Sequence, residues 1–507
     1  MPLPYQAVYD LAVVGGGING AGIARDAAGR GLKTLLLEKD DLASHTSSWS
    51  TKLIHGGLRY LEYYEFRLVA EALAEREVLL RAAPHIISPL QFVLPHEPHL
   101  RPAWMIRAGL FLYDHLGGRK TLPSSFGVDL SNSRWGAGLK NSFHRGFVYS
   151  DARVDDARLV VFNAISAREK GADIRTHTKL AAARRERGVW QMTLQDANGE
   201  TQEVSARALV NAAGPWVKQV QDEVSAEPTQ ASVRHVKGSH IVVPRVHEEA
   251  HAYILQNSDN RIIFVIPYQG EFSLIGTTDI TVEEYEHPEI TGEEISYLCG
   301  IANAYLAKPI SAADVVWTYS GVRPLYDDGS ADPAAVTRDY VLKLDAQTGA
   351  APLLSIFGGK ITTFRRLAEE ALRELAPFFP QMKKPWTMSE PLPGGDMVKS
   401  DLAAFERDLR ARYASLDPGL LGALARRHGT RSSRVLGNAD TTADLGEHFG
   451  DTLFAAEIEY MIAQEWATTA EDILWRRTKC GLHLSARERD AVSRYLHDRP
   501  GSRAPAS

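Results

Sequence analysis

Hydrophobic positions first gather in an unbroken run from Leu11 to Val14. A run of that length without alternation suits a parallel strand covered on both faces. Gly15-Gly16-Gly17-Ile18-Asn19-Gly20 follows at once, Ile18 to Arg30 has helical spacing, and a second apolar run from Lys33 to Leu37 ends on Glu38. Strand, glycine turn, helix, strand and acid, in that order, predict a dinucleotide-binding βαβ unit. Gly15 permits the tight turn, Gly17 lets backbone approach a pyrophosphate, and Gly20 lets helix and strand pack closely. The helix start offers open N–H groups to phosphate, and Glu38 is placed to accept bonds from a ribose. The motif alone does not separate NAD from FAD.

The rest of the chain alternates between periods. Residues 39–60 are polar and glycine-marked and predict a loop. Phe66 to Ala83 keeps one apolar face through Leu68/Val69, Ala72/Leu73 and Leu79/Leu80, and Pro84 ends the helix. Val154 to Lys170 reads as a helix leading to a strand near Ile174. Alternating stretches near 188–195 and 200–210 run into Ala213-Gly214-Pro215-Trp216, a second glycine return of a kind common in flavoproteins and not expected of a simple NAD dehydrogenase. From 231 to 345 the pattern is β-rich, with strands expected at His240–Val243, Tyr253–Gln256, Arg261–Pro267, Phe272–Gly276, Val315–Tyr319 and Tyr340–Leu344. Residues 351–375 then give strand, Gly358-Gly359-Lys360 turn and helix, a third return whose helix N-terminus suits negative charge on a flavin ring. Residues 383–397 are rich in Pro and Gly and read as a linker. Residues 398–496 are helical in pattern, with a capping box at Thr468, Thr469, Glu471 and Asp472, and the tail 497–507 reads as disordered.

Size and charge narrow the function classes. A chain of 507 residues exceeds one core and predicts two or three domains. A net charge of −6 without a long basic run argues against nucleic-acid binding. Cys299 and Cys480 form neither a disulfide framework nor a metal pattern and suit a reducing cytosol. The first strand begins so early that no signal peptide is expected, and no run of 18 uncharged apolar residues predicts a spanning helix. Residues 98–120 are unusual. Trp104, Met105, Ile106, Leu110, Phe111, Leu112 and Tyr113 crowd a helical stretch flanked or interrupted by Arg101, Arg107, Arg119 and Lys120. This composition fits an interfacial amphipathic helix, and equally a helix packed on protein.

The segments VVGGGINGAGIARDAAGRGL, SSWSTKLIHGGLRYLEYYEFRLVAEALAEREVLL, HLRPAWMIRAGLFLYDHLG, VKGSHIVVPR, IGTTD, WTYSGVRPL, FGGKITTF and ILWRRTKCGL together resemble the FAD-dependent glycerol-3-phosphate dehydrogenases, the bacterial aerobic enzymes in particular. The likeness spans almost the whole chain, and Tyr326 after GVRPL is one small departure. It implies an α/β fold like D-amino acid oxidase. A Rossmann-like FAD domain would be assembled from 1–90, 145–220 and 346–383. A β-rich substrate domain would come from 91–144 and 221–345, and a linker at 384–397 would lead to the helical domain 398–496. It implies oxidation of sn-glycerol 3-phosphate to dihydroxyacetone phosphate, non-covalent FAD, a membrane quinone as electron acceptor, and a homodimer attached to the cytoplasmic face of the inner membrane. A glycerol-3-phosphate oxidase passing electrons to oxygen is the alternative within enzymes. A flavin-binding regulatory protein and an NAD-linked alcohol dehydrogenase are expected less.

Alcohol oxidation by a flavin requires a base for the hydroxyl proton and a cationic pocket for the phosphate. Arg59 and Arg323 are the phosphate candidates, each with a structural ion pair as its alternative reading, and Tyr60 either lines the pocket or packs. His240 is the first choice of base because its ordinary pKa suits neutral pH. Lys360 is the rival, as base or as a phosphate or flavin contact, and otherwise is a solvated loop lysine. Catalysis is thus assigned to His240, Arg323 and Lys360. FAD contacts are expected from Gly15, Gly16, Gly17, Ile18, Asn19, Gly20, Glu38, Ser47, Ser48, Lys52, Gly57, Gly214, Gly358, Gly359, Lys360 and Thr363. His55 is expected near the flavin, with a structural loop histidine as the competing reading. Asp279 is expected to order a loop beside the site.

Overall fold

The structure, a computed structural model, describes residues 8–97, 101–118, 121–224, 232–257, 261–327, 339–346 and 348–499. The expected disordered tail lies mostly outside these residues, and a helix, Ala486–His497, runs up to it. The first apolar run becomes the strand Val8–Val14, with Leu11, Ala12 and Val13 fully buried. It pairs in parallel with Thr34–Leu37 on one side and Thr201–Asn211 on the other. Leu353–Phe357 and Asp173–Arg175 extend the parallel sheet at its two ends. Helices Ile18–Gly29, Asp156–Glu169 and Phe364–Leu375 cover one face, and their alanines and leucines form one continuous core with the sheet. The antiparallel strands Thr178–Glu186 and Val189–Asp196 branch from Thr201–Asn211 and help close the other face.

A ten-stranded sheet forms the second layer. Near one edge lies the strand Ser232–Pro244, paired antiparallel with Phe272–Gly276 and Trp317–Asp327. Ile262–Tyr268, Ala252–Gln256, Ile87–Pro95 and Arg145–Val154 follow outward. Helices Phe66–Ala82 and Ala103–Leu116 pack on one face of this sheet, and Gly292–Tyr305 packs on the other.

Four segments join a different sheet from the one expected. Residues 145–154, assigned from sequence to the FAD domain, belong to the second sheet, as do Leu53–Ile54 and the start of Ile87–Pro95. The 145–154 strand carries Ser150 and Asp151 in its buried middle, which breaks the apolar pattern. Arg76 and Tyr113 satisfy the carboxylate: Arg76 donates to Asp151 and to the backbone Ser150 O, and the Tyr113 hydroxyl donates to Asp151 at 2.7 Å, while Ser150 Oγ is buried with no partner among the described residues. Val341–Asp345 moves the opposite way. It forms an antiparallel hairpin with Leu353–Phe357 and so joins the first sheet.

The segment read as a linker is bound to the body rather than loose. Trp386 Nε1 donates to Asp26 O at 3.2 Å, and Leu392 N donates to Ala82 O at 2.8 Å. Beyond it lie helices Leu402–Arg412, Pro418–His428, Ser432–Leu436 and Ala455–Glu465, and a π-helical turn, Asp472–Arg477, around a separate apolar core. The expected capping box is formed: Thr469 N donates to Asp472 Oδ2 at 2.8 Å and Asp472 N to Thr469 Oγ1 at 3.2 Å.

Candidate active site and its cofactor cleft

The three glycine returns converge. Gly15 adopts φ +109°, and a Cβ there would lie 2.4 Å from Ala212 O, so the first turn touches the second return directly. A Cβ on Gly20 would lie 1.9 Å from Gly15 O, which leaves that position to glycine on steric grounds. Asn19 Nδ2 donates to Gly358 O at 3.1 Å and ties the first turn to the third. Between them lies a cleft of about 390 Å³ lined by Gly15, Gly17, Ile18, Asn19, Glu38, Ser47, Gly214, Gly358 and Gly359, with Trp216 and Pro324.

Its donor set fits a flavin dinucleotide. Gly17 caps the helix without a side chain, so backbone can approach a pyrophosphate there. Glu38 accepts from Gly16 N at 2.6 Å and Asp40 N at 2.9 Å through different oxygens. Each oxygen keeps capacity for a ribose hydroxyl. Burial pushes the Glu38 carboxyl up, against the pull of those two N–H groups. Asn19 Oδ1 is buried without a partner among the described residues.

Several residues expected at the cofactor are held by protein partners. Ser48 Oγ donates to Ala43 O at 2.6 Å, and the Lys52 ammonium is spent on Ser48 O at 2.7 Å and Asp156 at 2.8 Å. Gly20 packs within the turn, and neither Ser48, Lys52 nor Gly20 lines the cleft. Gly16 contributes its N–H to Glu38. Gly57 is in a left-handed conformation at φ +73° beneath Tyr60, and Thr363 is buried at the start of the last helix. The backbone N of His55 donates to Thr362 Oγ1 at 3.2 Å, and burial pulls its imidazole pKa down.

The candidate substrate residues come from three elements. Strands Ser232–Pro244 and Trp317–Asp327 pair His240 with Tyr319, Gly238 with Gly321 and Val236 with Arg323. Paired residues share a sheet face and side chains alternate, so His240 and Arg323 face the same way with a glycine pair between them. His240 is buried, stacks on Tyr319 at 4.7 Å, and places Nε2 3.1 Å from Thr51 Oγ1. Its Nδ1 is buried with no partner among the described residues. Burial, then the charges of Lys52 and Arg323, hold its pKa well below the ordinary histidine value. Arg323 Nη2 donates to Thr278 O at 3.1 Å and pairs with Asp279, while Nη1 and Nε have no partner among the described residues. Asp279 thus orders the arginine itself. Lys360 Nζ sits 4.0 Å over the Tyr60 ring and makes no hydrogen bond or ion pair among the described residues. Arg59 also has no ion pair among the described residues.

Sequence reasoning assigned no role to Thr51 or Gly276. Thr51 lies 189 positions from the histidine it touches, and Gly276 sits opposite His240 only through strand register. Neither contact leaves a local signal.

Comparison with known proteins agrees with this geometry. Residues 10–365 match the family model for FAD dependent oxidoreductases, and residues 386–497 match the model for the C-terminal domain of alpha-glycerophosphate oxidase. The chain is 55% identical over 498 residues to a glycerol-3-phosphate dehydrogenase of Pseudomonas aeruginosa, covering 97% of this chain and 96% of that one. It is 54% identical to a D-erythritol 1-phosphate dehydrogenase of Brucella abortus, covering 96% and 97%. The crystal structure of the glycerol-3-phosphate dehydrogenase from Bacillus halodurans complexed with FAD superposes with a TM-score of 0.74 at 26% identity, covering 97% of this chain and 94% of that one. This chain is an FAD-dependent oxidoreductase and belongs to the glycerol-3-phosphate dehydrogenase family.

Proposed function

We propose that the chain oxidises the secondary hydroxyl of sn-glycerol 3-phosphate to the ketone of dihydroxyacetone phosphate. One observation carries the reading: a buried, neutral imidazole with a bare Nδ1 shares a sheet face with a partly free guanidinium. His240 Nδ1 takes the hydroxyl proton, and Thr51 holds the opposite nitrogen so that the ring keeps its aim. Arg59 and the open edge of Arg323 bind the phosphate, a task for which the planar guanidinium is suited. Lys360, lying over Tyr60, adds positive charge beside the developing anion, and Tyr60 walls the pocket. Bound FAD supplies the hydride acceptor.

Because a relative of equal similarity carries the name of a four-carbon polyol phosphate dehydrogenase, chain length is the first point to test. Holoenzyme mixed without air with glycerol 3-phosphate should lose its flavin colour, and D-erythritol 1-phosphate should act far more slowly. Persistence of colour with the first compound, or faster bleaching by the second, contradicts the substrate assignment.

The electron acceptor we assign is a membrane quinone, reached from the cytoplasmic face of the inner membrane by a peripherally attached homodimer. Support comes from the helix Ala103–Leu116. Ile106, Leu110 and Tyr113 turn inward to the cap core, while Trp104, Met105, Phe111 and Leu112 are exposed on the outer face, Trp104 at 69%. Tyr63 and Tyr64, on the 3-10 turn that packs beside this helix, are exposed as well. No helix of the described residues is long and apolar enough to cross a membrane. Flavin reoxidation by a soluble quinone analogue should outpace peroxide formation in air, and the reverse would favour an oxidase.

A further inference from the structure

The WRRTKCG segment near the C-terminus has no part in the chemistry above, yet two of its side chains reach the loop that walls the cofactor cleft. Arg476 and Arg477 close the π-helical turn Asp472–Arg477. Such a turn holds more residues per revolution than an α-helix, so consecutive side chains diverge less. Both guanidiniums meet one carboxylate of the FAD domain, Asp41. Arg476 Nε lies 2.7 Å from Asp41 Oδ2, Arg477 Nη1 lies 2.7 Å from the same oxygen, and Arg477 Nη2 lies 2.7 Å from Oδ1. Arg477 and Asp41 are almost completely buried, and Arg477 also donates to Glu465 O at 2.7 Å. Asp472 and Glu465 balance the two positive charges.

Asp41 sits inside the loop that forms one wall of the flavin cleft. Glu38, Lys39, Ala43, Ser44, His45 and Ser47 all line that cleft. The loop has little regular structure of its own. Ala43 N donates to Gly16 O at 3.2 Å, His45 bonds Asp40 at 2.7 Å, and Ser44 N donates to Asp41 O at 3.2 Å. A second stitch comes from the same C-terminal region: Thr468 Oγ1 lies 3.1 Å from His177 Nε2, and His177 N donates to Asp40 O at 2.9 Å. The C-terminal domain therefore grips the loop at Asp41 and steadies it at Asp40.

We propose that Arg476 and Arg477 are positioning residues for the flavin: acting through Asp41, they lock the 38–48 loop against the cofactor, so the C-terminal domain sets how long FAD stays bound. A bidentate guanidinium fork suits this role, and a lysine, as a point charge, does not replace it.

The test is the rate of FAD release from purified holoenzyme at a temperature well below unfolding, followed by the rise in flavin fluorescence. Arg476→Gln, Arg477→Lys and Asp41→Asn should each speed release at least tenfold. Arg431→Met is the control. It breaks another pair across the same two domains, Arg431 with Glu169 at 2.5 Å, without touching the loop. It should leave release within twofold of the parent. Resistance of residues 384–397 to protease, measured on every variant, reports whether the domains remain docked. Parent-like release from the Asp41 and arginine variants overturns the proposal. So does equal acceleration by Arg431→Met, which would mean that general loosening of the interface frees the flavin. If Arg477→Lys fails to fold, Arg476→Gln and the near-isosteric Asp41→Asn decide the matter.

Discussion

His240 lies under a glycine for a steric reason. Gly276 faces it across the strand pair, and a Cβ there would stand 2.1 Å from the imidazole Cδ2. Gly276→Ala should therefore push the ring off Thr51 and slow flavin reduction at least tenfold while FAD stays bound, as stopped-flow reduction and the flavin spectrum would record. Removing the imidazole itself, in His240→Asn, should cost ~10²–10⁴-fold, the usual share of a general base. Thr51→Val leaves Nε2 without its partner, at a cost of about 1–3 kcal/mol if the ring keeps its place, and Thr51→Ser should restore most of the rate. The pH dependence follows from burial and the two nearby positive charges, which hold the imidazole pKa below its ordinary value. A base must be neutral to act. Its activity is thus present above the lowered pKa and lost only as pH falls through it. The plateau in flavin reduction at saturating substrate should extend down past about pH 6.5, the ordinary histidine value, before any acid limb begins, and an acid limb centred at or above about 6.5 would contradict the assignment.

Among the elements, the helix Ala103–Leu116 separates its two faces most plainly. Tyr113 is tied inward, since its hydroxyl accepts from Gly56 N at 2.8 Å and donates to Asp151. The outer aromatic and aliphatic side chains are free to enter a bilayer surface. Burying each is worth about 1.5–3 kcal/mol, so Trp104→Ser combined with Phe111→Ser should lower binding to anionic vesicles by at least a hundredfold in flotation, with flavin reduction by substrate unaffected. Vesicle binding equal to the parent's would point instead to a protein partner for this face. The same helix marks what the sequence makes legible. Local patterns carry elements and turns: the glycine spacing at 15–20, the paired apolar positions of Phe66–Ala82 and the capping box at Thr469 all read directly. Sheet membership does not. The strand at 145–154 hides because its buried carboxylate, Asp151, is satisfied by Arg76 and Tyr113, partners remote in sequence. Ser48 and Lys52 read from sequence as ligands, and their side chains tie the loop to its neighbours; a polar loop residue that binds a cofactor and one that ties the loop together share a composition.

For the molecule as a whole, the joint between the C-terminal domain and the FAD domain has a buried ionic centre. Arg158 and Glu465 are both fully buried, with Nη2 2.9 Å from Oε1. The Arg158 charge holds Glu465 far below the usual carboxylate range against the cost of burial, and Arg476 and Arg477 do the same for Asp472, which is held down at about 2. Carboxylates depressed in this way stabilise the fold fully above their unfolded pKa near 4, and that contribution fades as pH falls through their folded values. Buried neutral His85, His240, His247 and His251, all with lowered pKa, withdraw stability from about pH 6.5 downward, because the unfolded chain binds protons that the folded chain refuses. Chemical denaturation should show stability falling from near pH 6.5 and steepening below pH 4. Arg158→Met, which takes the bidentate partner from buried Glu465 and leaves it only Arg477 at 3.9 Å and His428 at 3.4 Å, should cost ~3–5 kcal/mol at neutral pH.

The most direct measurement is a crystal structure of the holoenzyme with dihydroxyacetone phosphate. The flavin should rest where the returns at Gly15, Gly214 and Gly358 meet. The ligand's phosphate should lie within hydrogen-bond reach of Arg59 and Arg323, and its carbonyl oxygen beside His240 Nδ1. A phosphate held elsewhere, or a carbonyl turned away from His240, would contradict the site described here.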